Sequence, residues 1–342
     1  MSIRIAGMGW VTPLGADLET VWQRIANGDV AEAKPMSNPE TGRVHHCIQV
    51  PPKLVEHLAR NPRLRRSSAI SYFAVAAALR AMSNAGIEIG SRAAERTAVI
   101  FGVSDGGVIY TRKFYDQIVK QGANAASPLL FPETVYNAPA SHLAAQLGID
   151  GSSYTLVGDA SVGLSAVQLG EQLLALGEAD HCVVVACEEL DWILCEAYRD
   201  WRFTRTPLAE GAAALVLSRS GRFSIETAGA APFMSQREAG AAVDQVLERL
   251  ASRVGSVDFM VSCDNGTFID RAVAAGVNRW FPGLPEPASH PKRALGEMLA
   301  AGGLVNLIFA ALRLEKAGGS RALVPVVGFN HQADAALVEM VR

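Results

Sequence analysis

No CxxC pair and no zinc-ligand spacing occurs among the five cysteines of this 342-residue chain, Cys47, Cys182, Cys187, Cys195 and Cys263. Neither a metal site nor a cofactor is therefore expected from them. No uninterrupted apolar run approaches the ~18 residues that a membrane helix needs, so no span is expected. Charge of neither sign dominates: 31 Lys and Arg stand against 34 Asp and Glu, a formal net charge of −3. Such a balance gives no support to a nucleic-acid surface, and the cluster Arg60, Arg63, Arg65, Arg66 reads as a solvated helix entrance. Met1-Ser2 runs directly into the strand-like Ile3-Arg4-Ile5 without a signal-peptide pattern. A reduced, cytoplasmic setting is the expectation.

What is present is the composition of a globular protein, 49% hydrophobic and 19% charged, long enough to bury a large core without staples. Strand-like runs are Ile3–Met8, Thr97–Val103, Ser153–Val157, His181–Ala186, Ala212–Ser218, Phe223–Thr227, Asp258–Ser262, Leu323–Val327 and Ala335–Met340. Between them lie helical patterns at Leu18–Asn27 (capped by Asp17), Ser68–Ala85, Ser141–Leu147, Ala160–Leu176, Ala241–Arg253 and Leu299–Leu314. In the helix after Ala160, Leu164, Leu169, Leu173 and Leu176 recur at helical spacing. The polar segment from Ala31 to Pro52 reads as a loop or short excursion, and Cys182 and Cys187 as core thiols. Apolar strands alternating with helices predict an α/β protein with covered sheets. The same grammar occurs twice, in residues 1–220 and more briefly in 221–342, which suggests an internal duplication within one compact unit.

Several short motifs occur in a telling order. The chain opens with Ala6-Gly7-Met8-Gly9-Trp10-Val11-Thr12-Pro13-Leu14-Gly15, followed by Val21-Trp22 and Gly28. Asn137 sits within Pro132 to Gly148, and Tyr154-Thr155 and Gly163 bracket a strand–turn–helix. Gly177-Glu178-Ala179-Asp180 leads through an apolar strand to Glu188-Glu189, and Glu210-Gly211-Ala212-Ala213 follows. This series resembles the β-ketoacyl synthases. The resemblance implies a thiolase-like duplicated fold with a layered α-β-α-β-α arrangement.

The chemistry of that family needs a cysteine thiolate to attack an acyl thioester, two histidines to polarise the malonyl carbonyl, and backbone N–H groups for the oxyanion. Aligned on Tyr154-Thr155 and Gly163, the cysteine place holds Ala160. In the run Ser262-Cys263-Asp264-Asn265-Gly266-Thr267 the first histidine place holds Asn265. In Lys292-Arg293-Ala294-Leu295-Gly296-Glu297 the second holds Glu297, while Lys292 is kept. The gate motif reads Gly328-Phe329-Asn330-His331-Gln332-Ala333, which keeps the gatekeeping Phe329 but loses a glycine pair, so a stiffer loop is expected. His331 is a loop histidine near the pocket. A carboxylate at 297 would repel the enolate and the CO2-bearing substrate.

Ser161 is the rival nucleophile, but Asp159-Ala160-Ser161-Val162-Gly163 is not the G-x-S-x-G elbow, and capping or packing at the helix start is the plainer role. His142 reads as structural and Cys263 as a buried thiol. Lys292 is expected to pair with a carboxylate, either Glu189 or Glu297. A ketosynthase-like body without its nucleophile resembles a chain length factor, the non-catalytic partner of an active ketosynthase. That resemblance implies a heterodimer joined beside Ser153–Val157, contact with an acyl carrier protein through the complex, and aromatic filling by Trp192, Trp201 or Phe203. Two further readings stay open: an enzyme with chemistry relocated to Ser161 or Cys263, and a scaffold homodimer.

Overall fold

A computed structural model describes residues 3–91, 96–285, 290–329 and 331–341. Asn330 of the gate motif lies outside the described residues. Strand β1 (Ile3–Val11) leads into helix α1 (Leu18–Ala26), whose first turn is capped by the Asp17 carboxylate accepting from Thr20 N at 2.8 Å. Where a loop was expected, Lys34–Ser37 (β2) and Val44–Cys47 (β3) pair as an antiparallel hairpin. Its alternating exposure lacks the apolar run that marks a strand in sequence.

Helix α2 (Ala69–Asn84) is followed by β4 (Thr97–Val103), α3 (Val108–Gln121), α4 (Ala138–Leu147), β5 (Ser153–Val157), α5 (Val162–Leu176) and β6 (His181–Glu188). Next come α6 (Trp192–Trp201), β7 (Gly211–Ser218), β8 (Phe223–Thr227), β9 (Ala231–Pro232) and α7 (Ala239–Ala251). The chain closes with β10 (Phe259–Met260), α8 (Phe268–Trp280), α9 (Pro291–Leu295), α10 (Ala300–Ala317), β11 (Arg321–Val327) and β12 (Gln332–Met340). The short α9 and three longer helices, α3, α6 and α8, are not expected from the sequence. The longer three are amphipathic with few buried residues, and their starts rest on tertiary acceptors or on Asp191 and Thr267 caps. The strand expected over Asp258–Ser262 shrinks to Phe259–Met260. In α5 the expected leucine stripe ends early, because Leu176 is exposed.

Among the described residues ten strands form one sheet in the order β10-β11-β12-β8-β1-β7-β6-β4-β5, with β9 on β12. Pairing of β1 with β8 (Ile3↔Ile225, Ile5↔Phe223) joins its two flanks. Helices α5 and α10 carry the central core between those flanks: Leu164, Val167 and Leu174 of α5 and Leu304, Leu307 and Ile308 of α10 share one apolar cluster with strands from both. Helices α2 and α4 cover one outer face, with β4, β6 and β7. Helices α7 and α8 cover the other, with β11 and β12. The result is the α-β-α-β-α layering implied by the motifs. Strand β5 pairs only with β4 and is an edge.

Alanine-rich α2 lies directly on β1, and the glycines of the opening motif make that approach fit. A Cβ on Gly9 would fall on the Ala77 carbonyl oxygen, and one on Gly7 on that of Ala81. By contrast, Gly240 in α7 has open space around it and an ordinary helical backbone. Gly9→Ala should therefore cost about 2–3 kcal/mol through backbone displacement, whereas Gly240→Ala should gain about 0.5–1 kcal/mol. Urea denaturation of the two variants checks both signs.

Candidate functional site

Two of the residues at the expected catalytic places, Ala160 and Glu297, meet at the first turn of α10. Ala160 is 5% exposed, and its carbonyl oxygen faces Gly303; the Glu297 carboxylate lies over Gly302. Gly303 is the glycine that closeness needs, since a side chain there would press on the Ala160 oxygen. Leu299, at the helix start, has φ 43° without being glycine. Its N–H donates to Glu297 Oε1 at 3.2 Å, which helps hold the left-handed backbone.

Glu297 is 1% exposed and its Oε2 lies 2.8 Å from Lys292 Nζ, which also donates to the Cys263 carbonyl at 3.1 Å. Of the two partners expected for Lys292, Glu297 is the one found. Burial alone would pull the Lys292 ammonium down; the charge and hydrogen bond of Glu297 outweigh that and hold it above the ordinary lysine value. Glu189 is engaged elsewhere. It accepts from Ser68 Oγ (2.6 Å), Ile70 N (2.9 Å) and Ile109 N (2.8 Å), and so serves the N-terminal ends of α2 and α3 together. The space left between Lys292, Met298, Gly302 and Asn306 is a void of ≈ 10 Å³, room for at most one water.

Asn265 is spent on local structure. Its Nδ2 donates to the Phe203 carbonyl at 3.1 Å, and its Oδ1 accepts from Thr267 Oγ1 at 2.6 Å. Ser161 is fully buried at the start of α5. Its side chain makes no capping bond to the helix; its hydroxyl instead contacts Asp159 Oδ1 at 3.2 Å and Gln332 Oε1 at 3.1 Å. No imidazole activates it in that arrangement. Cys263 is buried and its thiol is pushed up to about 12 by that burial, far from a thiolate at neutral pH. His142 contacts Glu133 Oε1 at 2.6 Å, and Glu133 also accepts from Ser68 N, a structural link between α4 and α2.

The gate region is packed with rings. Phe329 stacks on Phe203 with centroids 4.8 Å apart and 8° between planes, and meets Tyr198 edge-on at 5.6 Å. Trp201 packs on Phe203 at 5.4 Å. Among the described residues these contacts run through Phe203 and Trp201 and not through Trp192. Tyr198 donates to Asp105 Oδ2 at 3.2 Å, and burial raises the Asp105 carboxyl to about 6. Asp159, in the nucleophile turn, presses against Gly328, where any Cβ would fall on its carboxylate. His331 holds φ 70° without being glycine, its carbonyl accepts from Phe233 N at 2.9 Å, and its ring lies 5.3 Å from that of Phe233. The ring thus faces the α7–α8 side and does not line the groove described next.

Outside the ring cluster lies a groove of ≈ 770 Å³. Its walls carry His45, His46, Arg199, Arg202, Arg205 and Arg271, and its floor Tyr198, Phe203 and Cys195. These four arginines form no ion pair among the described residues. Sequence reading missed this groove, because its basic residues come from β3, the stretch from α6 through the 202–206 turn, and α8, segments far apart in the chain.

Removing one member of the buried pair should expose its value. Lys292→Met leaves Glu297 buried and unpaired, at an expected cost of about 3–5 kcal/mol; Lys292→Met with Glu297→Leu should recover most of it. A folded lysine pKa above 10.5 means the contribution is present throughout neutral pH and is lost as pH rises through the folded value. Chemical denaturation of wild type and both variants at pH 7 and in the alkaline range measures each point.

A sequence-family model described as "Beta-ketoacyl synthase, N-terminal domain" matches residues 1–221. A 3-oxoacyl-[acyl-carrier-protein] synthase 2 from Coxiella burnetii is 25% identical over 189 residues, 54% of this chain and 45% of that protein. The chain therefore aligns with about half the length of the curated relatives it matches. The solved structure titled "The ishigamide ketosynthase/chain length factor" superposes with a TM-score of 0.84 at 19% identity, covering 100% of both chains. The ketosynthase ApeO in complex with its chain length factor ApeC, from Xenorhabdus doucetiae, gives 0.78 at 18% identity over 99% of this chain and 98% of the other. These likenesses fix the fold as that of the ketosynthases. With the family match spanning well over half of its residues, the chain belongs to the β-ketoacyl synthase family.

Proposed function

We propose that this chain is a non-catalytic ketosynthase-like subunit, a chain length factor, that pairs with an active ketosynthase during polyketide, aryl polyene or fatty-acid-like chain elongation in the cytoplasm. The observation that carries the reading is the chemistry of three positions taken together. Ala160 has no nucleophile, Asn265 has no titratable ring and uses its amide on Phe203 and Thr267, and Glu297 is bound to Lys292. A buried carboxylate beside the reacting centre would disfavour a developing enolate. The void there, ≈ 10 Å³, leaves no room for an acyl thioester.

A partner surface is available on the β5 edge. Its outer backbone groups are unpaired within the sheet, and Val157 is 55% exposed. Tyr136 packs against Gly106, just beyond the end of neighbouring β4, and is itself exposed, as are Phe131 and Leu129. An exposed apolar surface next to a free strand edge suits a pairing face. The structural neighbours that are ketosynthase/chain length factor assemblies favour a ketosynthase as occupant. The arginine-lined groove suits an anionic, carrier-bound acyl group reaching the complex with its acyl carrier protein.

The rival with relocated chemistry is disfavoured by Ser161, whose hydroxyl faces a carboxylate and an amide oxygen, and by the raised Cys263 thiol. Co-expression with candidate ketosynthases tests the proposal. One-to-one co-elution and condensing activity that depends on the partner's cysteine are expected, and Ala160→Cys in this chain should add no activity. Elution as a homodimer with no ketosynthase bound, or a stable acyl adduct on Ser161 or Cys263 by mass spectrometry, would overturn it.

A further inference from the structure

Two cysteines that the catalytic comparison does not involve lie against each other beside the gate. Cys47 ends β3 and Cys195 sits in the middle of α6, far apart in sequence. Both thiols are free and buried in one apolar cluster with Tyr198 and Phe329. They share a thiol–thiol hydrogen bond, which lowers Cys47 and raises Cys195 from the ordinary cysteine value. Other contacts hold the two elements in register around them. Glu196, the residue after Cys195, takes His45 Nε2 at 2.7 Å and Asn38 Nδ2 at 3.3 Å, and pairs with Arg43. Cys195 also lines the arginine-bearing groove, which opens to solvent.

Close packing of two thiols does more than fill apolar space. Its chemical consequence is that either sulfur, once oxidised, has a resolving thiol within reach. We propose that Cys47 and Cys195 form a redox-modification site, in which hydrogen peroxide entering from the groove converts the pair to a disulfide that ties the 34–47 hairpin to α6. One thiolate attacks a peroxide oxygen, the O–O bond breaks, and a sulfenic acid and one water result. The second thiol attacks the sulfenic sulfur and displaces a second water. The thiol pair loses two electrons and two protons, and the peroxide is reduced to two waters.

The hairpin and α6 flank the groove, and α6 carries Tyr198 against Phe329. The disulfide therefore fixes one wall of the groove and the support of the gate ring. It also closes a long chain loop, which disfavours the unfolded state. The other cysteines differ. Cys182 and Cys187 donate to the Gly170 and Ile70 carbonyls, and neither they nor Cys263 lines the groove.

The test uses the full chain as purified. After treatment with hydrogen peroxide the protein is unfolded and alkylated with N-ethylmaleimide. Two fewer adducts than the five cysteines are expected, with a disulfide-linked peptide pair containing Cys47 and Cys195, a mass about 2 Da lower before alkylation, and recovery of all adducts after dithiothreitol. The thermal midpoint of the oxidised form should rise. In Cys195→Ser the same treatment should leave Cys47 as a sulfenic acid that dimedone traps. Full alkylation of the wild type after peroxide, or a disulfide joining any other pair, would overturn the proposal.

Discussion

A buried ammonium–carboxylate contact of 2.8 Å between Lys292 and Glu297 organises the centre of this protein. Neither charge is tolerable there alone, since burying an unpaired ion costs several kcal/mol. Together they fasten three pieces of backbone. Lys292 reaches the carbonyl of Cys263 in the segment after β10, Glu297 accepts from the N–H of Leu299, and the strained turn at Leu299 launches α10. Helix α10 then fills the middle layer against α5 and the sheet. A residue pair at the old site thus sets where the central helix begins.

The same use of buried carboxylates recurs nearby. Glu188, Glu189 and Glu210 lie within one stretch of structure, and each accepts main-chain N–H groups. Glu188 serves Asp105, Glu189 serves Ile70 and Ile109, and Glu210 serves Val50 and Leu190. Burial raises all three, Glu210 to about 7 and Glu188 well above the usual range. The motifs that carry the family resemblance, Glu188-Glu189 and Glu210-Gly211, are thus scaffold here. They fix loop ends around the site through hydrogen bonds, and this work survives whether or not the site performs chemistry.

Much of the fold was legible because its strands are continuous apolar runs. Thr97–Val103, Ser153–Val157 and Phe223–Thr227 lie where the pattern puts them. Helices α3, α6 and α8 were missed because they are amphipathic and bury few residues each. The positions of Ala160, Asn265 and Glu297 could be proposed from motif spacing, and Lys292 was expected to find a carboxylate. Which carboxylate was not legible: Glu189 and Glu297 are equivalent in sequence, and only the fold sends Glu189 to α2. The groove and the Cys47–Cys195 contact were invisible for a related reason. Each gathers residues from distant segments, and no local period marks side chains that meet only after the hairpin closes on α6.

The replaced residues also constrain one another. A catalytic thiol must be deprotonated, and burial works against that. In this chain the buried thiols away from any imidazole, Cys182 and Cys263, are both pushed up to about 12. Position 160 is just as enclosed and stands next to the Asp159 carboxylate, so burial and a like charge would act on a thiol there in the same direction. With Asn265 committed to the Phe203 carbonyl and Glu297 to Lys292, no group remains to draw that proton away. Alanine at 160 is then the residue best matched to its surroundings: it fills the space before Gly303 and asks for no partner. The groups that enclose position 160 are also among those that position α10.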